Sequence, residues 1–302
     1  MEKNFRSGLR SILLCLLASF VTLLFNFMGG PFIKLARSTS GPLIFWVFFV
    51  FLGSLFLFPA SAPLALIIVP FWLSVGLYHE AERRAWGNFW SLSLVVLVSG
   101  AFSAAIPWFL SNWFDMRVVD ALLQGLREQF DSFKKSPSMG LLARNWSFDL
   151  MLKLVPGLFL SLLVVNLAVA LALEKGVARL LRIQLNRPAF ALRLLDFRVP
   201  EPVIWILIGS GALTLLRDQT DMSIWGWNLL ILLLVVYFFQ GLAVLEFAFL
   251  VFRWGFFLRL ALYLLLVGNL PFVLSGVGIA DYWLDFRVRL RSWANRQKAA
   301  KG

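Results

Sequence analysis

Cysteine and histidine are almost missing from this chain: Cys15 and His79 are the single examples in 302 residues. One cysteine excludes an intrachain disulfide. Cys15 sits in an apolar run, where a free thiol acts as a small hydrophobe, and Leu14 before it is not the small residue that a lipoprotein signal needs. One histidine excludes every two-histidine zinc site. In Tyr78-His79-Glu80-Ala81-Glu82-Arg83-Arg84, Arg83 holds the place where a zinc-protease helix carries its second histidine. No metal and no cofactor is expected, and His79 reads as a polar residue at a membrane boundary. The chain also lacks G-x-S-x-G, a Walker loop and G-x-G-x-x-G, so no enzyme activity is expected. Charge is scarce as well: 15% of residues are charged, against about 25% in soluble domains.

Apolar residues take up the difference. They make up 60% of the chain, and the mean hydropathy is +0.82. A soluble protein could not cover that surface with so few charges, and disorder requires low hydrophobicity. The expected fold is all-α: a polytopic transmembrane bundle forming a single integral membrane domain over 1–302. Apolar runs recur at about 11–28, 43–58, 64–78, 88–110, 154–173, 203–216, 228–252 and 256–280. A crossing helix needs about 20 residues, so the count is about six to eight segments, since the shorter runs need not all cross. Lys3, Arg6 and Arg10 precede the first run as in a signal peptide, but no A-x-A site follows, and that run reads as a retained helix.

Lys and Arg outnumber Asp and Glu by 28 to 16, and their distribution tests orientation. Eight plain crossings would put Lys175, Arg179, Arg182, Arg187, Arg193 and Arg198 outside. A second arrangement gathers more of the basic residues inside. It lets 43–78 cross once as a segment broken at Pro59, Pro63 and Pro70, and bends 256–280 at Gly268-Asn269-Leu270-Pro271. Loops 79–87, 174–201 and 253–259 and both termini are then cytoplasmic. Proline breaks survive there only where protein or cavity water satisfies the freed backbone groups.

Residues 112–147 form the largest insert outside the bilayer. Val119, Leu122, Leu123, Leu126, Phe130 and Phe133 recur at helical spacing, while Asp120, Gln124, Arg127, Glu128 and Asp131 take other faces. This predicts an amphipathic helix at the interface, ended by Lys134-Lys135-Ser136-Pro137. Lys175, Arg179 and Arg182 would share one face of an extension of helix 154–173, which Arg187-Pro188 breaks. Arg198-Val199-Pro200-Glu201-Pro202 reads as an extended entry to the next helix. The tail 287–302 carries Arg287, Arg289, Arg291, Arg296, Lys298 and Lys301 and no acidic residue. Trp283, Phe286, Leu290 and Trp293 would form its apolar face. Arg287, Arg289, Arg291 and Arg296 are therefore the expected lipid-surface residues, with anionic headgroups as partner. Nucleic acid is the less favoured use of the same charge.

Polar residues at membrane depth are the default functional candidates: Asn26, Asn166, Gln240, Glu246 and Asn269. Tyr237 and Gln240 share a face, and Gly241 admits another backbone. Tyr237, Gln240, Glu246 and Asn269 are the expected ligand-binding set. A second reading makes Gln240 and Glu246 helix–helix glue, with Glu246 meeting a residue of another helix. Asp281 and Asp285 read as charge partners of the nearby arginines, with Asp285 to Arg289 at helical i, i+4 spacing.

Three stretches then resemble a known family together: Asp196-Phe197-Arg198-Val199-Pro200 with Ile204-Trp205; Tyr237-Phe238-Phe239-Gln240-Gly241-Leu242-Ala243; and Gly278-Ile279-Ala280-Asp281-Tyr282-Trp283-Leu284-Asp285-Phe286-Arg287. In this order, over about 196–291, they resemble the YybS-like family of bacterial polytopic membrane proteins of unknown function. That family is distantly similar to the substrate-binding membrane subunits of energy-coupling-factor vitamin transporters. The resemblance implies a membrane protein that binds or helps move a small solute, with a membrane or cytoplasmic protein partner. It transfers no catalytic residues, and Glu246 departs from the small or neutral residue expected there. A scaffold or assembly protein of the cell envelope, working through 112–147 and the tail, is the alternative.

Overall fold

The structure is a computed structural model that describes residues 2–58, 61–84, 89–113, 118–135, 147–183, 194–216 and 221–299. Among these every regular element is helical. Pro59, Arg187-Pro188, Lys301 and the stretches 114–117 and 136–146 of the expected insert lie outside them. The chain divides into two compact units, Met1–Ala191 and Leu192–Gly302.

The first unit holds α1 (Glu2–Phe25), α2 (Gly30–Thr39), α3 (Pro42–Gly53), α4 (Ala62–Arg83), α5 (Phe89–Trp113), α6 (Val118–Lys135) and α7 (Phe148–Leu180). After α1 the chain reverses through a short 3-10 turn in which Asn26 takes φ 51. Gly29 there lies so near α1 that a Cβ would fall 2.7 Å from Thr22 Cα. Pro31 and Pro42 open α2 and α3, where a missing N–H costs nothing. Lys34 meets Glu82 and Arg37 meets Glu80, while Phe45 and Phe48 meet Trp72. Rising residue numbers in α2–α3 thus face falling numbers in α4, so the two run antiparallel.

The break expected within 43–78 falls between Leu57 and Ala62, with Pro63 in the first turn of α4; Pro70 was expected to interrupt as well and does not. α4 is continuous, with Pro70 inside it. Buried Phe71, Trp72 and Val75 pack the turn after the proline, and this apolar packing holds the helix together across one lost hydrogen bond. A further interruption lies upstream, at Ser40-Gly41 between α2 and α3. α6 forms as expected, with Phe130 buried against Phe148 and Asp120, Gln124, Arg127, Glu128 and Asp131 exposed. α7 extends past 173 to Leu180, also as expected, but Arg182 has φ 52 beyond the helix end and leaves the face of Lys175 and Arg179.

The second unit holds α8 (Pro202–Thr214), α9 (Asp221–Phe252), α10 (Phe256–Gly268), α11 (Pro271–Leu284) and α12 (Phe286–Ala299). α9 is its axis. α8 lies antiparallel to it, with Gly226 tucked against Ser210 and Leu213. α10 turns back along the end of α9, and α11 then returns parallel to α9. The bend between α10 and α11 is 96°, at the Gly268–Pro271 interruption read from the sequence. The expected continuous helix through Asp281 and Asp285 does not form. Asp285 is left-handed, with φ 44, and ends α11, so Trp283 belongs to a different helix from Phe286, Leu290 and Trp293.

Among the described residues four helices are long and apolar enough to cross a membrane: 64–83, 89–109, 148–180 and 221–252. The bent pair α10–α11 makes a fifth if it is one span.

α9 and α11 touch backbone to backbone. A Cβ on Gly241 would collide with the Leu274 carbonyl and come within 3.1 Å of Gly278 N; one on Gly278 would collide with the Tyr237 carbonyl and come within 2.8 Å of Gly241 N. Neither neighbour can swing away, because both are helix backbone. Gly241→Val and Gly278→Val are each expected to destabilise the protein by roughly 1–3 kcal/mol or more. Gly276→Ala, which meets nothing within 4 Å, is expected to be neutral or stabilising. Thermal unfolding in detergent separates the three.

Candidate functional site

The close crossing of α9 and α11 sets Gln240 opposite Asp281. Gln240 is buried with both ends of its amide engaged: its Oε1 accepts from Val199 N at 3.0 Å, and its Nε2 donates to Asp281 Oδ2 at 3.2 Å. Asp281 also accepts from Arg287 Nη2 at 2.8 Å and, through Oδ1, from Phe286 N at 3.0 Å. The second contact caps α12 at its first residue, which the left-handed Asp285 brings within reach. Arg287 Nη1 donates onward to Phe197 O at 3.0 Å and Leu195 O at 3.4 Å. On the rim, exposed Arg198 pairs with Asp285 at 2.9 Å. The three stretches that carried the family resemblance therefore converge on one network of charged and polar groups.

The expected ligand-binding residues do not come together. Tyr237 is buried, and its carbonyl lies at the Gly278 crossing. Glu246 accepts from the Tyr263 hydroxyl of α10, so it does meet another helix. Asn269 is exposed and donates to Leu264 O at 3.2 Å, closing the end of α10. Asp285 pairs with Arg198, where Arg289 was the expected partner. Arg287, one of the expected lipid-surface residues, is turned inward to Asp281, while Arg289, Arg291 and Arg296 stay exposed.

A denser cluster of buried charge lies in the first unit. Lys34 of α2 is 4% exposed; its Nζ lies 2.9 Å from Glu82 Oε2 of α4 and 3.5 Å from Glu174 Oε2 of α7. The Tyr78 ring stands 5.6 Å from the same ammonium. One turn along α2, Arg37 is 2% exposed, binds Glu80 and lies over the Phe45 ring. Toward the interior, Asn166 Nδ2 of α7 reaches Ser74 Oγ at 3.5 Å. The geometry is three helical stripes facing inward: Ser74, Tyr78 and Glu82 on α4; Asn166, Ala170 and Glu174 on α7; Gly30, Lys34 and Arg37 on α2. Residues four apart lie on one helix face. Gly30 makes room for α7, since a Cβ there would sit 2.7 Å from Asn166 Oδ1.

The cluster is not self-sufficient. Tyr78 Oη, Asn166 Oδ1, His79 Nδ1 and Arg37 Nε are buried with no hydrogen-bond partner among the described residues. Unpaired buried polar atoms cost about 1–3 kcal/mol each. A bound polar molecule or water would remove that cost. Among the described residues no group of three His, Cys, Asp or Glu could hold a metal ion.

From this cluster the sequence reading named Asn166 as a candidate at membrane depth and took His79 for a boundary residue. It cut the apolar runs at 78 and 173, which put Glu82 and Glu174 outside the membrane segments, and it gave 29–42 no element. The signal was there: polar residues at i and i+8 on two runs, and a lysine and arginine three apart after Gly30-Pro31.

The chain belongs to the DUF2232 family, described as predicted membrane protein, whose model matches residues 6–282. No curated protein and no solved structure matches it. The match accords with the polytopic membrane family expected from the motifs.

Removing one partner of a buried ion pair strands the other, at about 3–5 kcal/mol. Lys34→Met is expected to destabilise the protein by that order, and Lys34→Met/Glu82→Met by clearly less. Equilibrium unfolding in detergent measures both.

Proposed function

We propose that this DUF2232 member is a multi-pass protein of the bacterial cytoplasmic membrane that binds a small polar solute and serves its movement, without catalysing a reaction. One observation carries the reading: the helices that bury Lys34, Arg37, Glu82 and Glu174 also bury Tyr78 Oη and Asn166 Oδ1, which no group among the described residues satisfies. Ionisable groups inside a membrane bundle are costly and mark solute or ion paths. Interrupted helices support the same reading, because half-helices commonly frame transporter sites; α2–α3 is one such element beside the cluster. Counting the shorter apolar helices Leu9–Phe25, Pro42–Leu57 and Pro202–Thr214 as segments brings the total into the proposed range of about six to eight. Both termini are proposed to be cytoplasmic.

The second reading is a membrane scaffold. The charged outer face of α6 favours it, since Asp120, Arg127, Glu128 and Asp131 point away from the unit.

Extraction in native-lipid particles, followed by mass spectrometry of released small molecules, tests the first reading. The wild type is expected to retain a polar compound near stoichiometric amount, and Tyr78→Phe/Asn166→Leu is expected to lose it while remaining monodisperse. Retention of no compound above empty particles, together with copurification of envelope proteins through α6, would favour the scaffold.

A further inference from the structure

The end of α9 and the face of α12 build a surface that the solute-binding reading does not use. Phe252 stacks on Trp254, with ring centroids 5.5 Å apart and planes at 19°. Its other side meets Trp293 of α12 at 5.2 Å. Trp293 is still 42% exposed. On α12, Arg289, Trp293 and Arg296 follow at i, i+4 and i+7, which places them on one stripe. Arg253 stands between Phe252 and Trp254 with φ 53, a left-handed residue that ends α9.

The arginines here divide by what they touch. Arg259 donates to Trp254 O at 2.9 Å and Phe249 O at 3.0 Å, closing the end of α9. Arg287 serves Asp281, and Arg291 lies 5.6 Å over the Phe247 ring. Arg253, Arg289 and Arg296 are exposed and have no ion-pair partner among the described residues. From residue 253 to 280 and from 286 to 299 the sequence has no acidic residue. Guanidinium groups alternate with indole rings, and both suit one environment. Indoles concentrate where acyl chains meet headgroups, and a guanidinium fork matches a phosphate bidentately. α9 has 32 residues, about 48 Å of helix, more than an apolar core of about 30 Å requires. Its Arg253-Trp254 end therefore fits the boundary layer.

We infer that Arg253, Arg289 and Arg296, set around the Phe252–Trp254–Trp293 shelf, form a binding site for the phosphodiester headgroup of anionic phospholipid. The tail then acts as half of a folded site whose other half is the end of α9. The tail on its own is insufficient, because Arg253 and Trp254 come from another helix. This site rests on the second unit alone and stands whether or not the first unit holds a solute.

The test uses the full chain reconstituted into vesicles of equal phosphatidylglycerol and phosphatidylcholine, re-extracted in mild detergent, with retained lipid quantified by mass spectrometry. The wild type is expected to retain phosphatidylglycerol well above its share, and less so when extracted in high salt. Arg253→Gln/Arg289→Gln/Arg296→Gln is expected to lower the retained phosphatidylglycerol-to-phosphatidylcholine ratio toward that of the vesicles, by up to roughly fivefold per arginine removed. Arg127→Gln/Lys134→Gln/Lys135→Gln on α6, with the same loss of charge, is expected to keep it. The single variant Arg289→Gln, at an exposed position, gives the same direction with little demand on folding. Equal retention of both lipids by the wild type would overturn the site. So would equal loss in the α6 variant, or tight binding of an RNA oligonucleotide with no lipid preference.

Discussion

Hydrocarbon offers no hydrogen bonds, so a polar group at membrane depth must find its partner inside the protein. Most of the described structure follows from that constraint. In the second unit no buried side-chain nitrogen or oxygen among the described residues lacks a hydrogen-bond partner. Gln240, Asp281 and Arg287 exchange donors and acceptors with one another and with the backbone of 195–199. This closure depends on Gly241 and Gly278, because only their missing side chains let α9 and α11 come close enough for a glutamine to span the gap. In the first unit each buried charge has an ion-pair partner, while Arg37 Nε and several neutral atoms are left without a hydrogen bond among the described residues. That difference separates glue from a candidate site more sharply than the identity of the residues does.

The sequence made the class plain and the fold partly so. Composition sufficed for an all-helical membrane protein, because 60% apolar residues admit few other solutions. The bend before Pro271 was legible, since glycine, asparagine and proline fall together there. Pro70 gave the wrong signal. A proline weakens a helix locally, but packing such as that of Trp72 on Phe45 and Phe48 of α3 decides whether it breaks, and that packing is not local information. The left-handed turn at Asp285 was hidden for a similar reason. Nothing between Asp281 and Arg289 departs from helical spacing, and the turn is held by a carboxylate four residues earlier.

The site was legible where polarity interrupted an apolar run and hidden where it lay at a run's end. Gln240 and Glu246 stand out by eye, and both proved to be occupied by partners in neighbouring helices. Glu82 and Glu174 look like ordinary boundary residues. Their burial comes from α2, a ten-residue helix too short to register as a membrane element, which carries Lys34 and Arg37 inward. Depth in the fold is thus a property of the neighbour as much as of the run itself. The family resemblance did locate the second unit's polar network, since its three stretches are the three strands of that network.

The capping of α12 by Asp281 also ties three elements to one carboxylate. Asp281 accepts from Gln240 of α9 and from Phe286 and Arg287 of α12 at once. Loss of α12 would take away the cation and the amide together and leave a buried carboxylate with Gln240 alone. The second unit therefore gains cooperativity from a single side chain: α12 cannot fray from its first turn without exposing a cost in the interior.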